Sequence, residues 1–151
     1  MKYAVSACLL GVNCKYNGSN NLHQGLKEFL QGKEVLTVCP EVLGGLPSPR
    51  ACCEIREGKV IDEHGKDVSE AFRNGAAIAA HKVKEFQADM VILQPRSPSC
   101  GNTCVYSGYF DGRLVSGRGI FAKLLHTENI LAMDVDVFMD ALEKSKEEKD
   151  R

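Results

Sequence analysis

Two rhythms of apolar positions alternate along this chain. Short continuous apolar runs at 2–7, 34–38, 89–93 and 130–133 are each closed by small, polar or turn-forming residues and predict buried strands. Between them the apolar positions fall three and four residues apart. Over 21–31, Leu22, Leu26, Phe29 and Leu30 predict a helix that Gly32 stops. A longer helix is predicted through about residue 87, capped by Asp67 or Ser69, with Val68, Phe72, Ala76, Ile78, Ala79, Val83 and Phe86 as its buried stripe. Shorter patterns predict helices over 120–127 and from Val135 onward, the last ending in a charged, solvated tail at 142–151.

Other stretches lack either rhythm. Residues 8–18 form a glycine- and asparagine-rich loop, and 42–50 hold too much glycine and proline for a helix or central strand. Residues 52–62 predict a hairpin turning at Glu57 and Gly58, and the chain near 105–116 predicts a second across Asp111 and Gly112, placed to shield a site from water. Strands alternating with helices imply an α/β fold: a single-domain three-layer sandwich over 1–151 with a mainly parallel central sheet.

Composition narrows the function classes. A net charge of -1 and a pI near 6.4 give no support for a nucleic-acid or anionic-membrane binder. No stretch approaches the roughly 20 apolar residues that span a bilayer, and the first residues enter a strand pattern with no signal-peptide character, so a cytoplasmic location is expected. The seven cysteines are an odd number and many for a chain long enough to fold without disulfides. Metal binding or thiol chemistry therefore ranks above a disulfide framework.

Three of those cysteines share an address. Cys8, Cys39 and Cys100 each lie just beyond a predicted strand, and Gly101 behind Cys100 permits close backbone approach. Open α/β sheets place their chemistry in the crevice outside the carboxyl ends of the strands. Three thiolates there suit iron–sulfur ligation better than structural zinc, since no Cys-x-x-Cys pair occurs. Spacing alone equally allows one reactive thiol, Cys100, beside two packing residues. Vicinal Cys52 and Cys53 are expected on opposite sides of a strand, at least one of them packing. Cys14 and Cys104 stand near enough in sequence to add a fourth ligand. Arg50 is open between anion binding and an ion pair that braces its loop, and the four histidines show no ligand spacing.

Residues 5–18 (VSACLLGVNCKYNG), 39–50 (CPEVLGGLPSPR) and 97–101 (SPSCG), with 65–69 (GKDVS), Phe72, Gly75 and the hairpin over 106–119, together resemble the family known as domain of unknown function 523, associated with thiouracil desulfidases. The resemblance implies a [4Fe-4S] enzyme that removes sulfur from a thiolated pyrimidine such as 2-thiouracil, giving uracil and hydrogen sulfide. It places the cluster on Cys8, Cys39 and Cys100, an acid–base carboxylate at Glu41 and an assisting hydroxyl at Ser99. An iron without a protein ligand would then bind the thiocarbonyl sulfur as a Lewis acid. Residues 51–55 and Gln94 depart from the family pattern. A thiolated pyrimidine or a related thioamide is the expected small-molecule partner. The alternatives are a metal-free cysteine-persulfide sulfurtransferase and a non-catalytic iron–sulfur or metal-binding module.

Overall fold

The computed structural model describes residues 1–149; the last two residues of the expected solvated tail lie outside them. Four parallel strands form the central sheet: β1 (Lys2–Ser6), β2 (Glu34–Val38), β5 (Met90–Leu93) and β8 (Ala132–Asp134), in the order β2-β1-β5-β8. Each of the four apolar runs thus becomes a strand, although the last begins at Ala132 and runs to Asp134. Two antiparallel pairs stand outside the sheet, β3 (Cys53–Arg56) with β4 (Lys59–Asp62) and β6 (Cys104–Tyr106) with β7 (Leu114–Ser116).

Period-two alternation sends successive strand residues to opposite faces, which makes two cores. On one face Tyr3, Val5, Met90 and Ile92 pack against Leu26 and Leu30 of α1 (Gln24–Leu30) and Val135 and Phe138 of α5 (Val135–Lys149). Phe29 stands edge-on between Tyr3 and Phe138, with ring centroids 5.6 Å and 5.3 Å away. On the other face Ala4, Val38, Val91 and Leu93 meet Ala76, Ala79, Ala80 and Val83 of α3 (Ser69–Phe86) and Phe121 and Leu125 of α4 (Ile120–Thr127). The result is the expected three-layer α/β sandwich.

Several boundaries differ from expectation for local reasons. Helix α1 starts three residues late because the Nδ1 of His23 accepts the backbone N–H of Leu26 and caps it. Residues Pro40–Leu43 form a helical turn, α2, where no helix was expected: Pro40 sits at its first position, where a missing N–H is harmless. Ile78 is exposed rather than part of the α3 stripe, since it lies two positions from Ala76 and Ala80 and so faces away. Asp67 accepts the N–H of Ser69, while the Ser69 hydroxyl accepts the N–H of Val60, tying α3 to β4. The first hairpin turns at Glu57 and Gly58 as expected, both at positive φ. The second is wider: Tyr106 pairs with Leu114, so residues 107–113 form a loop instead of a two-residue turn at Asp111 and Gly112.

One close approach positions the site. A Cβ on Gly75 of α3 would stand 1.8 Å from the carbonyl oxygen of Pro40, and one on Gly44 would stand 2.1 Å from that of Ala71. The two glycines let α2 lie directly on α3, which sets where the chain after β2 can go.

Candidate functional site

The chain passes outward from β1 to β2 and then crosses back over β1 to reach β5. A crevice opens at the carboxyl ends of those strands, where sheets of this kind bind their ligands. It holds a cavity of about 490 Å³ lined by Cys8, Cys39 and Cys100, together with Glu41, Arg50 and Ser99.

Each cysteine arrives by a different local device. Cys8 lies in the 3₁₀ turn Ala7–Leu10 that follows β1, and the Asn21 side-chain amide donates to its sulfur at 3.8 Å. Cys39 caps α2 in extended conformation, at the last point before the chain turns away. Cys100 is carried back by a loop in which the Ser97 hydroxyl accepts the N–H groups of Ser99 and Cys100 at 3.2 and 3.1 Å. The loop is tied to the sheet by the Gln94 N–H, which donates to the Ser6 hydroxyl at 3.0 Å. A Cβ on Gly101 would meet the carbonyl oxygens of Ser97 and Cys104 at 2.9 Å, so the close approach expected there is real.

Glu41 and Ser99, from different strand ends, meet in the buried wall. The Ser99 hydroxyl donates to Glu41 Oε2 at 2.8 Å, and Arg50 Nε donates to Oε1 at 3.0 Å. Arg50 also donates to the carbonyls of Cys14 and Pro47 at 2.9 and 3.0 Å. Both possibilities for Arg50 were open in sequence; its guanidinium braces the loop and the carboxylate. With side chains only 7% and 12% exposed, this is a buried ion pair in which each carboxylate oxygen has one partner and a lone pair to spare.

A fourth thiol shares the site. Cys14 is buried in the cavity wall, and its backbone carbonyl accepts from the Cys39 thiol at 3.9 Å. The neighbouring Cys39 thiol lowers its pKa, but the neighbouring Cys8 thiol and burial outweigh it and leave the Cys14 thiol raised. Cys39 is raised strongly, by the neighbouring Cys14 thiol and then by burial. Burial, with smaller contributions from the neighbouring Cys39 and Glu41, pushes Cys100 up to about 12, against hydrogen bonds from Ser6 and Ser99 that lower it. Among the described residues no cation offsets that burial at Cys100, which favours the protonated thiol where no metal is bound.

Cys52 and Cys53 both line the cavity, contrary to the expectation that they part across a strand; Cys52 precedes β3, so period-two alternation does not govern it. Burial raises both thiols, Cys53 to about 12. Cys104 pairs with Ser116 in β6 and is outside the cavity lining. The histidines serve elsewhere, His23 as a helix cap and His81 beside Glu85 at 3.0 Å. Sequence reasoning missed Asn21, whose only signal was a polar loop, and Glu54, a carboxylate at 7% exposure that accepts the N–H groups of Gly108 and Phe110.

Among the described residues no three His, Cys, Asp or Glu side chains converge closely enough to hold a single metal ion. A four-iron cluster asks for something else, one thiolate on each of several irons, so its ligands stand apart. Soft thiols from separate strand ends around one cavity fit that requirement.

Comparisons agree with this architecture. The profile of the 2-thiouracil desulfurase family matches residues 4–136. An uncharacterized Bacillus subtilis protein, YbbK, is 38% identical over 131 residues, covering 80% of this chain and 87% of its own. The solved structure of a [4Fe-4S]-dependent thiouracil desulfidase, TudS, superposes with a TM-score of 0.87 at 35% identity, over 95% of this chain and 97% of that one. A profile match over most of the chain and a relative this similar over most of both lengths establish the kinship: the chain belongs to the 2-thiouracil desulfurase family.

Proposed function

We propose that this chain catalyses hydrolytic removal of sulfur from a thiolated pyrimidine such as 2-thiouracil, using a [4Fe-4S] cluster held by Cys8, Cys39 and Cys100. The carrying observation is the Ser99, Glu41 and Arg50 chain set in the same cavity wall as the three strand-end thiols. When bound, the cluster supplies an iron that polarises the thiocarbonyl as a Lewis acid. The protein's own groups do the rest. Glu41 accepts the Ser99 hydroxyl, and it orients a water toward the ring carbon that bears sulfur and takes its proton. Ser99 hands a proton between Glu41 and the ring. Arg50 holds the carboxylate in place without leaving an arm free for substrate. Water and the thiocarbonyl become a carbonyl and hydrogen sulfide, with no net electron transfer.

The metal-free persulfide alternative needs an ionised nucleophile. Cys100, its best candidate, is buried with its thiol pushed up to about 12, which favours the cluster reading. The deciding experiment is iron and acid-labile sulfide analysis of protein reconstituted without oxygen. About four of each per chain are expected for a four-iron cluster, lost on replacing Cys8, Cys39 or Cys100 by Ser and kept in Cys14→Ser. Loss of iron in Cys14→Ser would make Cys14 a fourth ligand and close the open iron. Turnover of 2-thiouracil by the loaded parent protein separates an enzyme from a cluster-carrying module.

A further inference from the structure

Five non-glycine residues have a positive φ among the described residues: Glu57, Gln87, Arg96, Phe110 and Asn129. Three have local reasons. Glu57 sits in the tight turn between β3 and β4, and Gln87 and Asn129 follow the ends of α3 and α4, where a left-handed residue lets the chain leave a helix. Arg96 and Phe110, at φ 67° and 54°, have no such role, yet both line the cavity above the cysteines. Left-handed backbone is unfavourable for side chains of this size and persists where the surroundings over-determine it, most often at binding sites.

The surroundings do over-determine Phe110. Its N–H donates to Glu54 Oε1 at 3.2 Å, and the N–H of Gly108 donates to the same oxygen at 2.9 Å. Arg56 holds the loop from the other side, donating to the Gly108 carbonyl at 2.7 Å while its guanidinium lies 4.5 Å from the Tyr109 ring centroid. A buried carboxylate is thus devoted to fixing the backbone of an aromatic residue that stays 36% exposed at the cavity mouth. Arg96 is fixed by a bridge to Val105 of β6, and its guanidinium has no ion-pair or hydrogen-bond partner among the described residues. The cavity lining therefore includes an aromatic side chain on a fixed backbone and, among the described residues, a cation without a partner.

We propose that Phe110 and Arg96 are the specificity-determining pair of this site, Phe110 stacking on the face of a planar pyrimidine ring and Arg96 donating to the ring's exocyclic carbonyl oxygen. The proposal rests on the desulfidase reading of the cavity and deepens it: the substrate is a flat cyclic thioamide carrying a second carbonyl, in preference to an open-chain thioamide. A base stacked on an aromatic side chain gains affinity from contact over its π-face, and a guanidinium supplies donors that a carbonyl oxygen can accept.

Equilibrium dialysis of uracil and 2-thiouracil against anaerobically reconstituted protein, with thermal unfolding and sulfide release on the same samples, tests the pair. Phe110→Leu is expected to weaken both rings about tenfold, and Phe110→Tyr to restore them. Arg96→Gly relieves the strained backbone, so its thermal midpoint is expected to hold or rise while uracil binding falls. A Phe110→Leu protein that binds as tightly as the parent, or a parent that retains neither ring, overturns the proposal. So does an Arg96→Gly protein that loses stability with its ring affinity unchanged, which would make Arg96 a structural residue. Ring binding that responds to Phe110 without any sulfide release sinks the desulfidase reading and leaves the pair standing. Sulfide release with an unaltered KM in Phe110→Leu does the reverse.

Discussion

At the scale of single residues the molecule turns on Glu41. Both of its carboxylate oxygens are engaged, one by Ser99 and one by Arg50, in a wall where an unpaired charge would be costly. Arg50→Ala is therefore expected to destabilise by about 3–5 kcal/mol, because it strands a buried carboxylate. Chemical denaturation measures this, and a loss under 1 kcal/mol would show that Arg50 does not brace the site. Glu41→Gln keeps the shape and removes the proposed base. Its expected signature is retained iron with sulfide release from 2-thiouracil reduced about 10²- to 10⁴-fold. Retained activity would assign the proton transfer elsewhere. The sequence left Arg50 undecided because its partner stands nine residues upstream, and only the turn of α2 brings Glu41 back to meet it.

At the scale of elements, two devices hold the site together. Gly75→Ala drives a methyl into the backbone of Pro40, so α2 must move off α3 and carry Cys39 and Glu41 with it. A loss of about 3 kcal/mol or more is expected, since backbone cannot yield as a side chain can. A small change in the denaturation midpoint would mean that the helices slide apart freely. The β3–β4 pair has its own anchor in Asp62, whose Oδ1 accepts the N–H groups of Lys66 and His64 at 2.9 Å. The Lys66 N–H leads in holding its carboxyl below the ordinary value, with the His64 N–H adding to the effect. A lowered folded pKa stabilises above the unfolded value and is lost as pH falls through the folded one. Amide protection at His64 and Lys66, corrected for intrinsic exchange, is thus expected to drop in acid, and Asp62→Ala to abolish that pH dependence. The turn that joins β3 to β4 was readable in the sequence at Glu57 and Gly58. The wider β6–β7 loop was not, because its conformation is set by Glu54 and Arg56 from a different hairpin.

At the scale of the whole molecule, Cys8, Cys39 and Cys100 follow three adjacent strands, so a cluster held by them as proposed would staple the sheet edge together. A group that binds only the folded chain stabilises it by mass action, about 4 kcal/mol at a thousand times its dissociation constant. For a chain of 151 residues this raises the anaerobic thermal midpoint by roughly 10 °C. An unchanged midpoint between apo and loaded protein would mean that iron sits somewhere other than across the strands.

Hydrophobic rhythm alone determined the parallel strands, the helices between them and hence the edge where chemistry belongs, because period and run length report burial on one face or two. Motif spelling then picked Cys8, Cys39 and Cys100 as one group, and Glu41 and Ser99 beside them. Tertiary structure decided what no local pattern encodes. It brought Cys14 into the cavity wall with Cys8 and Cys39, turned both Cys52 and Cys53 into the cavity, joined Arg50 to Glu41 and used Glu54 to hold Phe110 in a left-handed backbone. Each of these joins side chains through the packing of separate elements, and packing partners distant in sequence leave no period to read.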